Sequence, residues 1–121
     1  MKKLTKAQHK GQINLMKARI EAWIIGQKRE EEKFNSELRA DGFNGELPLS
    51  DYMYRFEDEK REDGIPAFSF YFDGHIYDII NGYRQDGFHK KWGQRFEEIT
   101  KGTGWFNEPD SYSIEYFILS N

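Results

Sequence analysis

The feature that most constrains this chain is an apolar stripe of helical period that starts directly behind a cap. Thr5-Lys6-Ala7-Gln8 has the form of a capping box, in which the Thr hydroxyl accepts the amide three residues on and the Gln side chain reaches back. Ile13, Met16, Ile20, Ile24, then Phe34 and Leu38, follow at helical spacing, with Trp23 beside them. Between Gly26 and Lys33 the stripe turns polar, because Gln27 and Glu31 occupy it. The pattern predicts one long helix to Ala40, continuous or kinked at Gly26, with Gly42 as the residue past its cap. Leu15, Ala18, Ala22 and Ile25 fall on the opposite side, so the stretch from Ile13 to Ile25 is apolar on two faces. That excess implies burial on both sides, or a homodimer formed through Ile13–Ile25.

Beyond the helix the period changes. Phe43 to Pro48, with Asn44-Gly45, reads as a loop. Leu49 to Asp63 fits a helix capped by Ser50 and stopped at Gly64, or a strand in which Tyr52, Tyr54 and Phe56 alternate; the crowd of aromatic residues favours a strand over 51–58. Phe68, Phe70 and Phe72 alternate with Ala67, Ser69 and Tyr71, and Asp73-Gly74 is the dipeptide of a type I′ hairpin turn. Strands are therefore expected over 67–72 and 75–80, with Phe72 facing His75, Phe70 facing Tyr77 and Phe68 facing Ile79. The rival for the second strand is a short helix through Ile76, Ile79, Ile80 and Tyr83. Asp86 is placed to cap a helix over 87–101 that carries Phe88, Trp92, Phe96 and Ile99 on one face and stops at Gly102. After a turn-rich stretch, Tyr112 to Leu119 alternates with both faces largely apolar, as an inner strand over 111–119 would. The expected architecture is α+β: a long N-terminal helix (1–40) and a body (43–121) of three or four antiparallel strands with a packed helix, in a single domain.

Composition limits what this fold can rest on. A chain of 121 residues is the size of one domain. With 37% hydrophobic but 17% aromatic residues, its core must be built from few, large side chains. Cysteine is absent, which removes disulfides, thiolate metal sites and a Cys nucleophile. No apolar run reaches the length of a membrane span and Lys2-Lys3 is followed by polar residues, so a cytoplasmic protein without membrane contact is expected.

Charge is distributed unevenly. From Met1 to Ile20 the ionised residues are Lys2, Lys3, Lys6, Lys10, Lys17 and Arg19, whereas the remaining twelve Lys/Arg face twenty-one Asp/Glu. Eight of those acids lie between Asp41 and Asp63. Such a split favours a charged partner. The densest run, Glu57-Asp58-Glu59-Lys60-Arg61-Glu62-Asp63, admits two readings. Asp58-Glu59-Lys60 has the acid-x-Lys spacing of metal-dependent nucleases, with Asp51 as the upstream acid; the plainer reading is an acidic contact surface. Asp73, His75 and Asp78 would ligate a metal only if they converged, and in a hairpin His75 and Asp78 point apart. His89-Lys90-Lys91 beside Trp92 pairs positive charge with an aromatic plane, as a nucleotide contact does, yet Trp92 also fits the core. No Ser lies in a G-x-S-x-G setting and no glycine cluster has phosphate-loop spacing.

These residues point to a non-enzymatic protein-binding module, with no catalytic residue, metal or cofactor assigned. Its binding surface is expected at Glu57, Asp58, Glu59, Glu62 and Asp63 with Tyr52, Tyr54, Trp105 and Phe106, and its partner is a protein with a basic surface. A specific form is a small inhibitor that fills the basic cleft of a nucleic-acid-handling protein, in the manner of phage anti-restriction or anti-CRISPR proteins; the analogy rests on size and charge alone. The alternative is a nucleic-acid-binding accessory protein that grips phosphates with Lys3, Lys6, Lys10, Lys17, Lys90 and Lys91. A metal-dependent nuclease is the minor alternative.

Overall fold

The capping box forms in the computed structural model, which describes residues 4–47 and 50–119. Thr5 Oγ1 accepts the Gln8 amide at 3.1 Å and Gln8 Oε1 accepts the Thr5 amide at 2.9 Å. From there a single helix, α1 (Lys6–Ala40), runs without a break. It ends as a glycine-terminated helix should: Gly42 takes φ 95° and the Phe43 amide reaches back to the Leu38 carbonyl at 3.0 Å. The remaining elements are β1 (Tyr52–Glu59), β2 (Ala67–Gly74), α2 (His75–Ile80), α3 (Gly87–Glu97), β3 (Trp105–Ser111) and β4 (Ile114–Leu119).

The four strands form one antiparallel sheet in the order β1-β2-β4-β3. Pairing of Tyr54 with Phe72, Phe56 with Phe70 and Phe68 with Phe117 puts these rings on one face. All three helices cover that face. Ile13, Met16, Ile20, Trp23 and Ile24 of α1, Ile76 and Ile79 of α2, and Trp92 and Phe96 of α3 join the phenylalanines in one buried cluster. The chain is thus α+β, a helical layer on a sheet whose other face carries no helix among the described residues.

Two expectations are corrected here. Residues 75–80 form helix α2 and not the second arm of a hairpin. Asp73-Gly74 does redirect the chain, but Gly74 adopts φ 62° and ψ −130° and sends it off the sheet, where the His75 amide bonds to the Asp51 carbonyl at 2.8 Å. Helical spacing then buries His75, Ile76 and Ile79 together, which alternation could not. The fourth strand is β3 instead, drawn from the stretch read as turns. It lies at the sheet edge with a register shift between Pro109 and Ser111, the setting in which a strand tolerates proline. The helix over 87–101 is also shorter, ending as α3 at Glu97 and continuing as turns.

Gly26 explains the doubt about α1. A Cβ there would lie 2.7 Å from the Trp92 ring, so this glycine lets α3 seat its indole against an unbroken helix. The Trp23 indole nitrogen donates to the Trp92 carbonyl at 2.9 Å, and the Trp92 indole donates to Glu30 at 2.9 Å. Among the described residues no helix is long and apolar enough to cross a membrane.

Candidate functional site

The uncovered face of the sheet is set by the strand register. Arg55 pairs with Tyr71, Glu57 with Ser69, Glu59 with Ala67, Ser69 with Tyr116 and Phe106 with Ile118, so all of these share the face turned from the helices. Met53, paired with Asp73, and Glu108, paired with Tyr116, complete it. Met53 is 57% exposed and Phe106 41% exposed. Arg55 lies over the Tyr71 ring, 3.8 Å from its centroid, and donates to Glu57 at 2.9 Å. This hydrogen bond, with a second from Tyr71, holds the Glu57 carboxyl below its ordinary range. Arg61, just past β1, is bidentate on Asp63 and also donates to the Tyr116 hydroxyl at 3.4 Å. That pairing, joined by the Ile65 amide, pulls the Asp63 carboxyl down to about 2. The result is a fixed surface of aromatic rings, guanidinium groups and carboxylates.

The expected binding residues divide between the two faces. Glu57, Glu59 and Phe106 lie on the open face, and Glu62 and Asp63 lie exposed in the turn beside it. Asp58 is an odd member of β1 and faces the helices, where Lys17 donates to it. Tyr52 and Tyr54 also turn inward. Their hydroxyls donate to Glu31 and Glu21 of α1, at 3.4 Å and 3.0 Å, and burial followed by those carboxylates raises both phenols above their ordinary range. Trp105 is buried, with its ring 5.5 Å from that of Phe68.

The other constellations do not assemble. Asp58 and Glu59 point to opposite faces, and Asp51 lies on the order of 20 Å up the strand from them. Among the described residues, no group of three or more His, Asp or Glu side chains is arranged to hold a metal ion. Asp73 accepts from the Gly74 amide, and His75 packs among Tyr52, Phe88 and His89. Of the lysines, Lys6, Lys10 and Lys90 are exposed, Lys17 and Lys91 are engaged by Asp58 and Glu30, and Lys3 lies outside the described residues. Trp92 is core. On the outer side of α1, Leu15 is 62% and Ile25 45% exposed, so the second apolar face is uncovered within one chain.

A second feature lies on the helical side. The C-terminal half of α1, the segment leading into β1, α2 and the start of α3 enclose a cleft of about 560 Å³. His75 and His89 line it with ring centroids 4.7 Å apart, and both are buried. Glu31 spans from α1 to the Ser50 amide and hydroxyl. Of the stripe's polar interruption, Glu31 borders this cleft, while Gln27 is fully buried one turn earlier. No family of known proteins, curated protein or solved structure matches the chain.

Proposed function

We propose that this chain is a non-enzymatic protein-binding module that presents the open face of its sheet to a partner with a basic surface. One observation carries the reading. Among the described residues, strand positions on that face hold Glu57, Glu59, Asp73 and Glu108 against Arg55 alone, around Met53, Tyr71, Tyr116 and Phe106, with no helix over them. Tyr, Met and Arg are the residue types that anchor interfaces, since they offer large area at modest entropic cost. Here each tyrosine is already held by an arginine, Tyr71 by Arg55 and Tyr116 by Arg61, so little freedom is left to lose on binding. The rim of carboxylates selects a basic surface and speeds encounter with it. The more specific form is an inhibitor that occupies the basic cleft of a nucleic-acid-handling protein.

A photo-crosslinking residue at Tyr71 or Tyr116, with a control at Ile25 on the outer side of α1, tests this in nuclease-treated lysate of the native cell. The expected result is one protein adduct from the sheet positions, lost when Glu57, Glu59, Asp73 and Glu108 are changed together to Gln. Adducts to nucleic acid, adducts only from Ile25, or a sheet adduct that survives neutralisation would overturn the reading. A self-adduct from Ile25 would instead report the homodimer through Ile13–Ile25.

A further inference from the structure

We propose that the free edge of β1 takes up an extended segment of the partner protein as a fifth strand, antiparallel to β1, with apolar side chains beside Tyr54 and Phe56 and basic ones beside Glu57 and Glu59. That the segment is basic rests on the protein-binding reading above; the edge itself is a separate feature of the sheet.

The direction of the backbone groups follows from the register. Successive residues of a strand turn their N–H and C=O to opposite sides, and a hydrogen-bonded antiparallel pair exchanges both bonds. The Phe72 amide donates to the Ser113 carbonyl at 3.0 Å and the Pro66 carbonyl accepts the Leu119 amide at 3.0 Å, so the even residues of β2 turn toward β4. Its odd residues Ser69 and Tyr71 therefore bond to their β1 partners Glu57 and Arg55. Because β1 ends the sheet order, the N–H and C=O of Tyr52, Tyr54, Phe56 and Asp58 turn outward. Among the described residues no main-chain hydrogen bond reaches these groups. A row of alternating donors and acceptors at strand pitch is matched by another extended backbone.

The two edges of the sheet differ in this respect. β3 holds Pro109, which has no N–H, and a register shift beside it. β1 runs eight residues in one unbroken register with neither Lys nor Pro. Lys, Pro and bulges are devices that guard an edge against pairing, and β1 lacks all three. The one charge on its inward row, Asp58, is met by Lys17.

Side chains set what the segment carries. Phe70, on a strand flanked on both sides, is fully buried, whereas Phe56 opposite it and Tyr54 next in the same row are half-buried. Apolar side chains on the inward row of an added strand cover these rings. On the outward row Arg55 is already drawn onto Tyr71 and Glu57, so the C-terminal end of β1 offers carboxylates while its start offers Met53. Antiparallel pairing is the slightly more stable arrangement, and a segment running that way reads basic first and apolar after. The same carboxylates repel a phosphate backbone, so a nucleic-acid strand does not match this edge.

The probe is the peptide acetyl-Lys-Thr-Lys-Val-Thr-Val-Thr-Val-amide, whose register sets Lys beside Glu59 and Glu57 and Val beside Phe56, Tyr54 and Tyr52. It is added to the full chain labelled with ¹⁵N, and amide hydrogen exchange is followed residue by residue. In the free chain the Tyr54, Phe56 and Asp58 amides should exchange at least tenfold faster than those of Arg55 and Glu57. Saturating peptide should slow the first set at least tenfold. The same peptide N-methylated at its three valines keeps every side chain but loses the donors that meet β1, and should bind at least tenfold more weakly. A peptide with Glu in place of Lys should lose as much. Unchanged exchange with millimolar peptide, equal binding of either control peptide, or edge amides already protected in the free chain, as pairing with a second copy would make them, would each overturn the proposal. A partner that crosslinks through Tyr71 or Tyr116 but leaves these amides unprotected would overturn strand addition alone. Protection by the peptide with no protein adduct from the sheet positions would instead overturn the protein-binding reading and support the strand-accepting edge.

Discussion

The covered face of the sheet carries most of the strand aromatic residues, and the two faces use theirs in opposite ways. On the helical side Phe68, Phe70 and Phe117 are fully buried and meet ring to ring, with Phe68 and Phe117 stacked at 5.1 Å. On the open side Tyr71 and Tyr116 meet charge: one lies under Arg55, the other accepts from Arg61. Carboxylates divide in the same way. Glu57 on the open side is held low by Arg55, whereas Glu115, opposite Phe70 on the covered side, is raised by burial that its one bond from Asn107 only partly offsets. The covered face holds the buried ring cluster, whereas the open face sets exposed Met53, Glu57 and Phe106 around buried Ala67, Ser69 and Ile118.

The sharpest way to break this contrast is to compare adjacent residues of one strand. Phe70→Ala should cost about 3–5 kcal/mol, because a cavity opens in the centre of the cluster. Tyr71→Ala, one residue on, should cost under about 1 kcal/mol while removing partner binding. Chemical denaturation of the two variants checks both figures, and similar costs would mean the open face is structural.

The same contrast extends along α1, which is seated on one side and free on the other. Gly26→Ala drives a Cβ into the Trp92 ring, and the strain of about 1–3 kcal/mol exceeds the ~1 kcal/mol that alanine gains in helix propensity. Gly11→Ala meets nothing within 4 Å and should stabilise by about 0.5–1 kcal/mol. Thermal melts of the pair should therefore move in opposite directions.

The smallest effect is at Glu115. A carboxyl raised in the fold disfavours the native state when ionised, so its contribution improves as pH falls through the folded value and is complete below the ordinary value of 4.5. Glu115→Gln should raise the melting temperature by a few degrees at pH 7 and leave it nearly unchanged at pH 4. Glu57→Gln should show no such gain at pH 7, since Arg55 favours the ionised form there.

Much of the fold is legible in the residues because local chemistry and tertiary packing agree. The Thr5 box, the Gly42 terminus and the Asp86 cap each satisfy backbone groups within a turn, and they form as spacing requires. Alternation over Tyr52, Tyr54 and Phe56 resolves to a strand, with the alternative start at Leu49 outside the described residues. The 75–80 segment was ambiguous because His75, Tyr77 and Ile79 alternate while Ile76, Ile79 and Ile80 also share a helical face. Only the exit of the chain at Gly74 chooses between them. β3 was hidden because an edge strand tolerates Pro109 and exposed polar residues, which erase the periodic signal. For the candidate surfaces, the acid run was visible but its direction was not: one residue of register puts Glu57 and Glu59 outside and Asp58 within. In the sequence His89 stands beside Lys90 and Lys91 and carries no sign of its packing against His75. Of the polar break in the stripe, Glu31 lines the cleft.

The sequence by itself determined the helix termini, three of the four strands, a core of few large rings and the imbalance of charge, because each depends on contacts a few residues apart or on composition alone. Tertiary structure decided which aromatic residues became core and which became surface, that Gly26 seats Trp92, and that two histidines fourteen residues apart share a cleft. Those outcomes depend on which elements cover which face of the sheet, and that choice is made by long-range packing.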